Sequence, residues 1–340
     1  MTKATQTEFL VYARTVGVAA MDARGFYYPV ALAFRADGRL FVQGRSHDGD
    51  TRGARITTLD YDSGYYGDFG SYGKDDGQFT WPTDIALDSE GNVYVSDEHL
   101  QRISVFDKDV KFVKKWGTQG SEPGQINGPS GLEFDADDNV YIADHLNNRI
   151  QKFTEGGEFI STFGSEGDGA GQFNLPWGLK VAPSGDIYVA DWRNDRIQRF
   201  TPDGEFVAAY GESGDNEGQF NRPASVEVDE QGYIYVADWG NERVQVLDPD
   251  GGFVQTLKGQ ATTSVWAQEF LDSNPDENRA RAESDLEQYH LLRTDDPHEV
   301  ASQIEPLFWS PICVRLDPEG RLFVLERNRH RMQVYKKRVE

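Results

Sequence analysis

Short apolar runs of five or six residues alternate with polar, glycine-bearing turns along most of this chain. The clearest stretches are 82–117, 129–164, 176–211 and 223–259, whose opening prolines lie 47 residues apart. Each opens with Pro and a short apolar run, as in Asp84-Ile85-Ala86-Leu87, followed by an acidic or glycine-containing turn. A second run alternates apolar residues and ends in Asp, at Asp97, Asp144, Asp191 and Asp238. A loop then leads to Arg-Ile or Arg-Val, a third run, another turn and a fourth run ending in aromatic-Gly (Trp116-Gly117, Phe163-Gly164, Tyr210-Gly211). Period-2 alternation with turn signals predicts four antiparallel strands per unit. Units of this kind repeated at a fixed period predict the blades of a propeller.

Two divergent copies begin at Pro29 and Pro311, which brings the count to six. Tyr12–Val16 reads as a fourth strand with no first three before it, and the last copy stops after its third strand at Tyr335. The N-terminal segment is therefore expected to supply the outer strand of blade six, which removes a free sheet edge. The expected fold is all-β: a six-bladed β-propeller of four-stranded antiparallel blades, one domain over residues 1–340. One irregularity interrupts it. Gly259 to Pro311 is 52 residues where 12 separate the corresponding earlier pairs. Asn274-Pro275-Asp276-Glu277 and Asp296-Pro297-His298-Glu299 carry helix-start chemistry, so residues 260–309 are expected to form a helical insertion between blades five and six. Two readings of it are open: a lid over an axial pocket, or a surface flap or contact with another chain.

Composition adds limits. The formal net charge of −23 opposes nucleic acid and anionic membranes as partners, unless basic residues collect on one face. A lone cysteine, Cys313, allows no internal disulfide, and 1–9 lacks a basic patch followed by an apolar core. The expectation is a soluble, cytoplasmic protein.

The loops joining strands four to one and two to three share one face, the top face. Arg45, Glu98, His145, Trp192, Trp239 and Arg327 stand there just after strand two, and Thr83 and Trp177 just after the repeat proline. Large aromatics in adjacent loops can line a pocket or anchor a partner. Trp177, Trp192, Trp239, Thr83, His99 and His330 are the expected ligand-facing residues. In a catalytic reading, Arg45 or Arg327 stabilises developing negative charge, while His145, His47 or Glu98 moves protons. Four histidines (His47, His99, His145, His330) sit in two-to-three loops, so a divalent metal on the axis is a further reading. The recurring Asp and Arg are expected to be structural, Asp capping turns and Arg pairing with a neighbouring blade. Cys313 is expected to be a small packing residue on the axis.

Tyr-Val-Ala-Asp followed by Asn-x-Arg-Ile or Asn-x-Arg-Val resembles the NHL repeat. That resemblance implies partner-binding, sensor or enzyme roles, the enzyme being the peptidyl-hydroxyglycine alpha-amidating lyase. The lyase's zinc histidines would fall at Thr83, Trp177 and Ile312, and its active-site Tyr and one Arg at Leu146 and Trp192. A further Arg is matched by Arg45. The resemblance thus implies a lyase-like propeller without that zinc site. The leading expectation is a stand-alone propeller that binds a small ligand or protein on its top face. The alternative is a small-molecule lyase or hydrolase.

Overall fold

Each repeat folds into one blade because its strands alternate side chains between two faces, and both faces find an apolar neighbour. A computed structural model describes residues 8–45, 50–287, 289 and 292–338. It contains six four-stranded antiparallel sheets in meander order. Blade two illustrates them all: Pro82–Leu87 lines the axis, followed outward by Val93–Asp97, Arg102–Phe106 and Phe112–Trp116. The second strands are buried throughout and the fourth strands largely exposed. The core therefore forms a set of seams between blades, each holding its own apolar cluster.

The ring closes as the sequence implies. Leu10–Val16 pairs antiparallel with Arg331–Lys337, which makes it the outer strand of blade six. At the centre the first strands approach closely. A Cβ on Gly131 would lie 2.6 Å from the Trp177 carbonyl oxygen, and one on Gly178 2.6 Å from that of Ala224. Cys313 is buried at this level, as its packing role requires. In the same register of blade two, the buried Asp84 carboxylate lies 3.4 Å from the Arg315 guanidinium, joining blade two to blade six. Burial pushes the Asp84 carboxyl up to about 6, although Arg315 pulls the other way.

The recurring Asp and Arg are structural, with one correction to the expected pairing. In blades three, four and five the Arg binds the Asp of its own blade, as in Arg149–Asp144 at 2.7 Å and Arg243–Asp238 at 2.7 Å, whereas Arg102 of blade two reaches the linker carbonyls of Lys74, Asp75 and Gln78 instead of Asp97. The remaining donors of Arg149 reach carbonyls in the linker entering its blade, those of Glu122 and Gln125. The Asp accepts from a linker amide, Asn127 for Asp144 and Asn221 for Asp238. A fixed fork of donors suits this task. Tyr65 and Tyr66 lie on the exposed fourth strand of blade one, away from the top face.

The insertion carries three helices: α1 (Val265–Ser273), α2 (Pro275–Glu283) and α3 (Pro297–Gln303). The Asn274 and Asp296 starts hold, and the Asp296 side chain accepts from the amides of His298 and Glu299. Helix α2 ends before Leu286, and α1 had not been anticipated. Among the described residues, no helix is long and apolar enough to cross a membrane.

Candidate functional site

At the top end of the axis the blade loops enclose a pocket of about 730 Å³. Its walls are largely aromatic: Trp81, Trp177, Trp192 and Trp239 come from blades two, four and five. These are four of the seven tryptophans in the chain. The repeat geometry delivers them. Trp177 follows the proline of blade four, and Trp192 and Trp239 follow the strand-two Asp of blades four and five. The rings of Trp192 and Trp239 lie 6.4 Å apart, centre to centre.

Two arginines share the wall. Arg45 forms a short ion pair with Glu98 (2.5 Å), largely shielded from solvent, and its guanidinium lies 4.9 Å from the centre of Trp81. Arg327 is half-buried, and its guanidinium has no hydrogen-bond or ion-pair partner among the described residues. Burial, followed by repulsion from Arg45, lowers its pKa. Just outside, Arg222 and Arg193 place their guanidiniums 5.1 and 5.6 Å from the Trp192 ring centre.

His145 lies in the short turn His145–Asn147 and is buried against the Trp177 edge, 4.9 Å between ring centres. Its Nδ1 is 3.2 Å from the Pro176 carbonyl oxygen, which fixes Nδ1 as the protonated nitrogen and leaves Nε2 as the basic one. Burial lowers its pKa, so the ring is neutral at pH 7. His99 also lines the pocket, edge-on to Trp81 at 5.7 Å.

The pocket thus gathers Arg45, Glu98, His145 and Arg327 with Trp177, Trp192, Trp239 and His99, eight of the eleven residues singled out from the sequence. Two others go elsewhere. Thr83 is buried beneath the pocket floor, where its hydroxyl donates to the Pro129 carbonyl (2.7 Å) and meets the Ser96 hydroxyl (2.9 Å). His330 is half-buried between blades, and its Nδ1 accepts from the Tyr28 amide (2.9 Å). Its loop position is one that clamps blades throughout the ring. Gln101 accepts there from Gly128, Asn148 from Leu175 and Asp195 from Arg222. The eleventh, His47, lies outside the described residues. Sequence reading missed Trp81, since it precedes the repeat proline, a position that had been assigned to the linker. Leu146, a half-exposed wall residue, was noted only through the lyase resemblance.

No described residue of 260–309 lines the pocket. Helix α1 sits at the seam of blades six and one. Helix α3 packs on the turn Trp239–Asn241, whose tryptophan is a pocket wall. His298 of α3 holds Glu242 (2.5 Å) and accepts from the Trp309 indole (3.3 Å). Among the described residues, no three of His, Cys, Asp or Glu are gathered as metal ligands.

The electrostatics of the pocket favour one sign of ligand. Among the described residues, the Glu98 charge is taken up by Arg45, which leaves Arg327 as a net positive charge on the wall. A cation about 4 Å from that guanidinium would meet repulsion on the order of 4 kcal/mol at an effective dielectric of 20. A tryptophan face returns roughly 0.5–2 kcal/mol to a cation, which does not offset that.

Comparison with known proteins follows the repeat. The NHL repeat model matches residues 79–106, 173–200, 220–247 and 308–335. The chain carries NHL repeats. Each match runs from a buried linker phenylalanine (Phe79, Phe173, Phe220, Phe308) through the third strand of its blade, in blades two, four, five and six. No curated protein matches this sequence. Among solved structures, a streptogramin B lyase is similar over 97% of this chain and 98% of its own, with 12% identity and a TM-score of 0.56. A catalytically inactive His-to-Ala variant of virginiamycin B lyase from Staphylococcus aureus, solved with quinupristin, aligns over 93% of this chain and 82% of its own (12% identity, TM-score 0.56). A protein of unknown function from Bacteroides thetaiotaomicron aligns over 96% of this chain and 75% of its own (17% identity, TM-score 0.61). These likenesses establish the propeller fold.

Proposed function

We propose that this propeller binds a small molecule in its top-face pocket. The observation that carries the reading is the pocket itself: about 730 Å³, walled by four tryptophans and two arginines at the mouth of the axis. That volume lies in the range of small-molecule sites, which are mostly apolar with a few placed polar groups. A flat protein-docking face would expose the tryptophans outward, whereas Trp177, Trp192 and Trp239 are half-buried around a hollow.

The pocket tryptophans make the test direct. A small-molecule library is screened by quenching of intrinsic fluorescence, with binders confirmed by calorimetry. The double variant Trp192→Ala/Trp239→Ala is expected to lose at least tenfold in affinity for a confirmed binder while retaining its fold. Binders that retain full affinity for the double variant, or a library with no binder, would sink the reading.

A second reading, lyase chemistry, is favoured by His145. A neutral imidazole with a basic Nε2 can remove a proton, and Arg327 or Arg45 can stabilise the negative charge that develops on the substrate. Two structural neighbours are named as lyases, one of them inactive as a His-to-Ala variant. Incubation with quinupristin, read by mass spectrometry, separates the outcomes. Eliminative ring opening leaves the mass unchanged, hydrolysis adds one water, and an unaltered substrate removes this cyclic compound from consideration.

A further inference from the structure

We propose that the ligand of this pocket is a flat aromatic molecule carrying an anionic group, with the anion held by Arg327 and the ring laid against the Trp192–Trp239 wall. The inference rests on the pocket being a small-molecule site and adds the chemical class of its occupant.

Two features converge on an anion. The first is Arg327, a half-buried guanidinium at the pocket wall without any acidic or hydrogen-bonding partner among the described residues. A desolvated charge is costly unless it is paired, so a site that keeps one open is complete only with a counter-charge. The second is the distribution of arginines. In a chain of net charge −23, Arg45, Arg327, Arg193 and Arg222 collect at or beside one pocket, whereas Glu98, the one carboxylate on its wall among the described residues, is bound to Arg45. A bidentate fork suits a carboxylate or a phosphate equally well.

The aromatic body follows from the walls. Trp192 and Trp239 are inclined at 42° with 6.4 Å between centres, forming one continuous aromatic wall, and the Arg222 guanidinium lies 5.1 Å from the Trp192 ring centre. Offset or tilted stacking on such faces suits a planar ring better than a branched aliphatic chain. An anion of this kind has two common sources, an aryl carboxylate and a nucleotide. Both present a planar ring and an anionic oxygen group.

The test compares charged and neutral members of two pairs by calorimetry on the intact protein: 2-naphthoate with 2-naphthamide, and adenosine monophosphate with adenosine. The proposal expects the charged member of at least one pair to bind tenfold or more tightly than its neutral counterpart. Whichever pair shows the preference identifies carboxylate or phosphate as the anion. In Arg327→Gln the preference should fall towards unity while the neutral compound keeps its affinity. An unchanged melting temperature shows that the variant is folded, as expected for a side chain that pairs with nothing described. Equal affinities within both pairs, or library binders that are all neutral or cationic, overturn the anion assignment and leave the pocket reading intact. Absence of binding by all four compounds overturns the proposal, and a wholly silent library then removes the pocket reading as well.

Discussion

At the residue scale, one loop position decides whether a polar side chain serves the ligand or the ring. Gln101, Asn148, Asp195, Glu242 and His330 all accept from the amide preceding the next blade's proline. Four of them wear different chemistry from His330, so the shared role is invisible in composition and visible only in register. His330 must be neutral to accept through Nδ1. Burial, with Arg327 nearby, lowers its pKa from 6.5 to about 4. The folded value lies below the unfolded one, so the clamp's contribution is complete above pH 6.5 and is lost as the pH falls towards about 4. His330→Asn keeps an acceptor, as Asn148 shows, and removes the proton. Urea unfolding of the two proteins from pH 7 to 4 should show the wild type losing roughly 3 kcal/mol more than the variant. Parallel pH profiles would refute the assignment. The pocket residues were legible because they occupy the non-repeating positions beside repeating ones. Thr83 and His330 occupy similar positions, yet each spends its polar atom on a buried backbone partner, which spacing alone does not reveal.

At the element scale, the insertion repairs a seam. Four blades end their fourth strand in an aromatic ring that packs on the next blade, as Trp116 packs on Gly157 and Tyr210 on Gly251. The closing strand ends instead in Val16. Trp266 of α1 is buried in that seam among Val16, Phe26 and Phe323, and its indole donates to the Ser63 carbonyl (2.7 Å). Ser63 holds the turn position that Gly157 and Gly251 hold elsewhere. Trp266→Ala should therefore cost roughly 3–5 kcal/mol, as large buried side chains do. Calorimetry should show one lowered transition for the whole ring, and a melting temperature within a degree of wild type would show that α1 is not part of the seam. The helix was not foreseen because its start signal is a lone Ser264, which caps through its side chain without the proline that marks α2 and α3. Its apolar residues also lack the extended run that periodicity needs.

At the scale of the whole molecule, the ring order and its closure could be read from six prolines and one orphan strand, since both depend on local alternation. The axial charges could not, because Asp84 and Arg315 are 231 positions apart and meet only once the ring is closed. Their pairing links blades two and six across the axial end of blade one. Arg315→Met should cost about 3–5 kcal/mol by leaving a buried carboxylate unmatched. Asp84→Asn added to it keeps an acceptor for the Leu132 amide (3.0 Å in the wild type) and should restore more than half of that loss. Strict additivity in denaturant melts would mean that the pair is not coupled.

The closing strand also sets how the ring responds to mechanical load. Leu10 faces Lys337 and Val16 faces Met332, so both chain ends leave the ladder at the same end. A pull applied outside residues 10 and 337 loads the Leu10–Lys337 rung alone, then each rung in turn. Bonds stressed singly yield at far lower force than a ladder sheared along its length. Tension on the two ends would thus peel blade six open first and expose the Trp266 seam, while five blades remain whole.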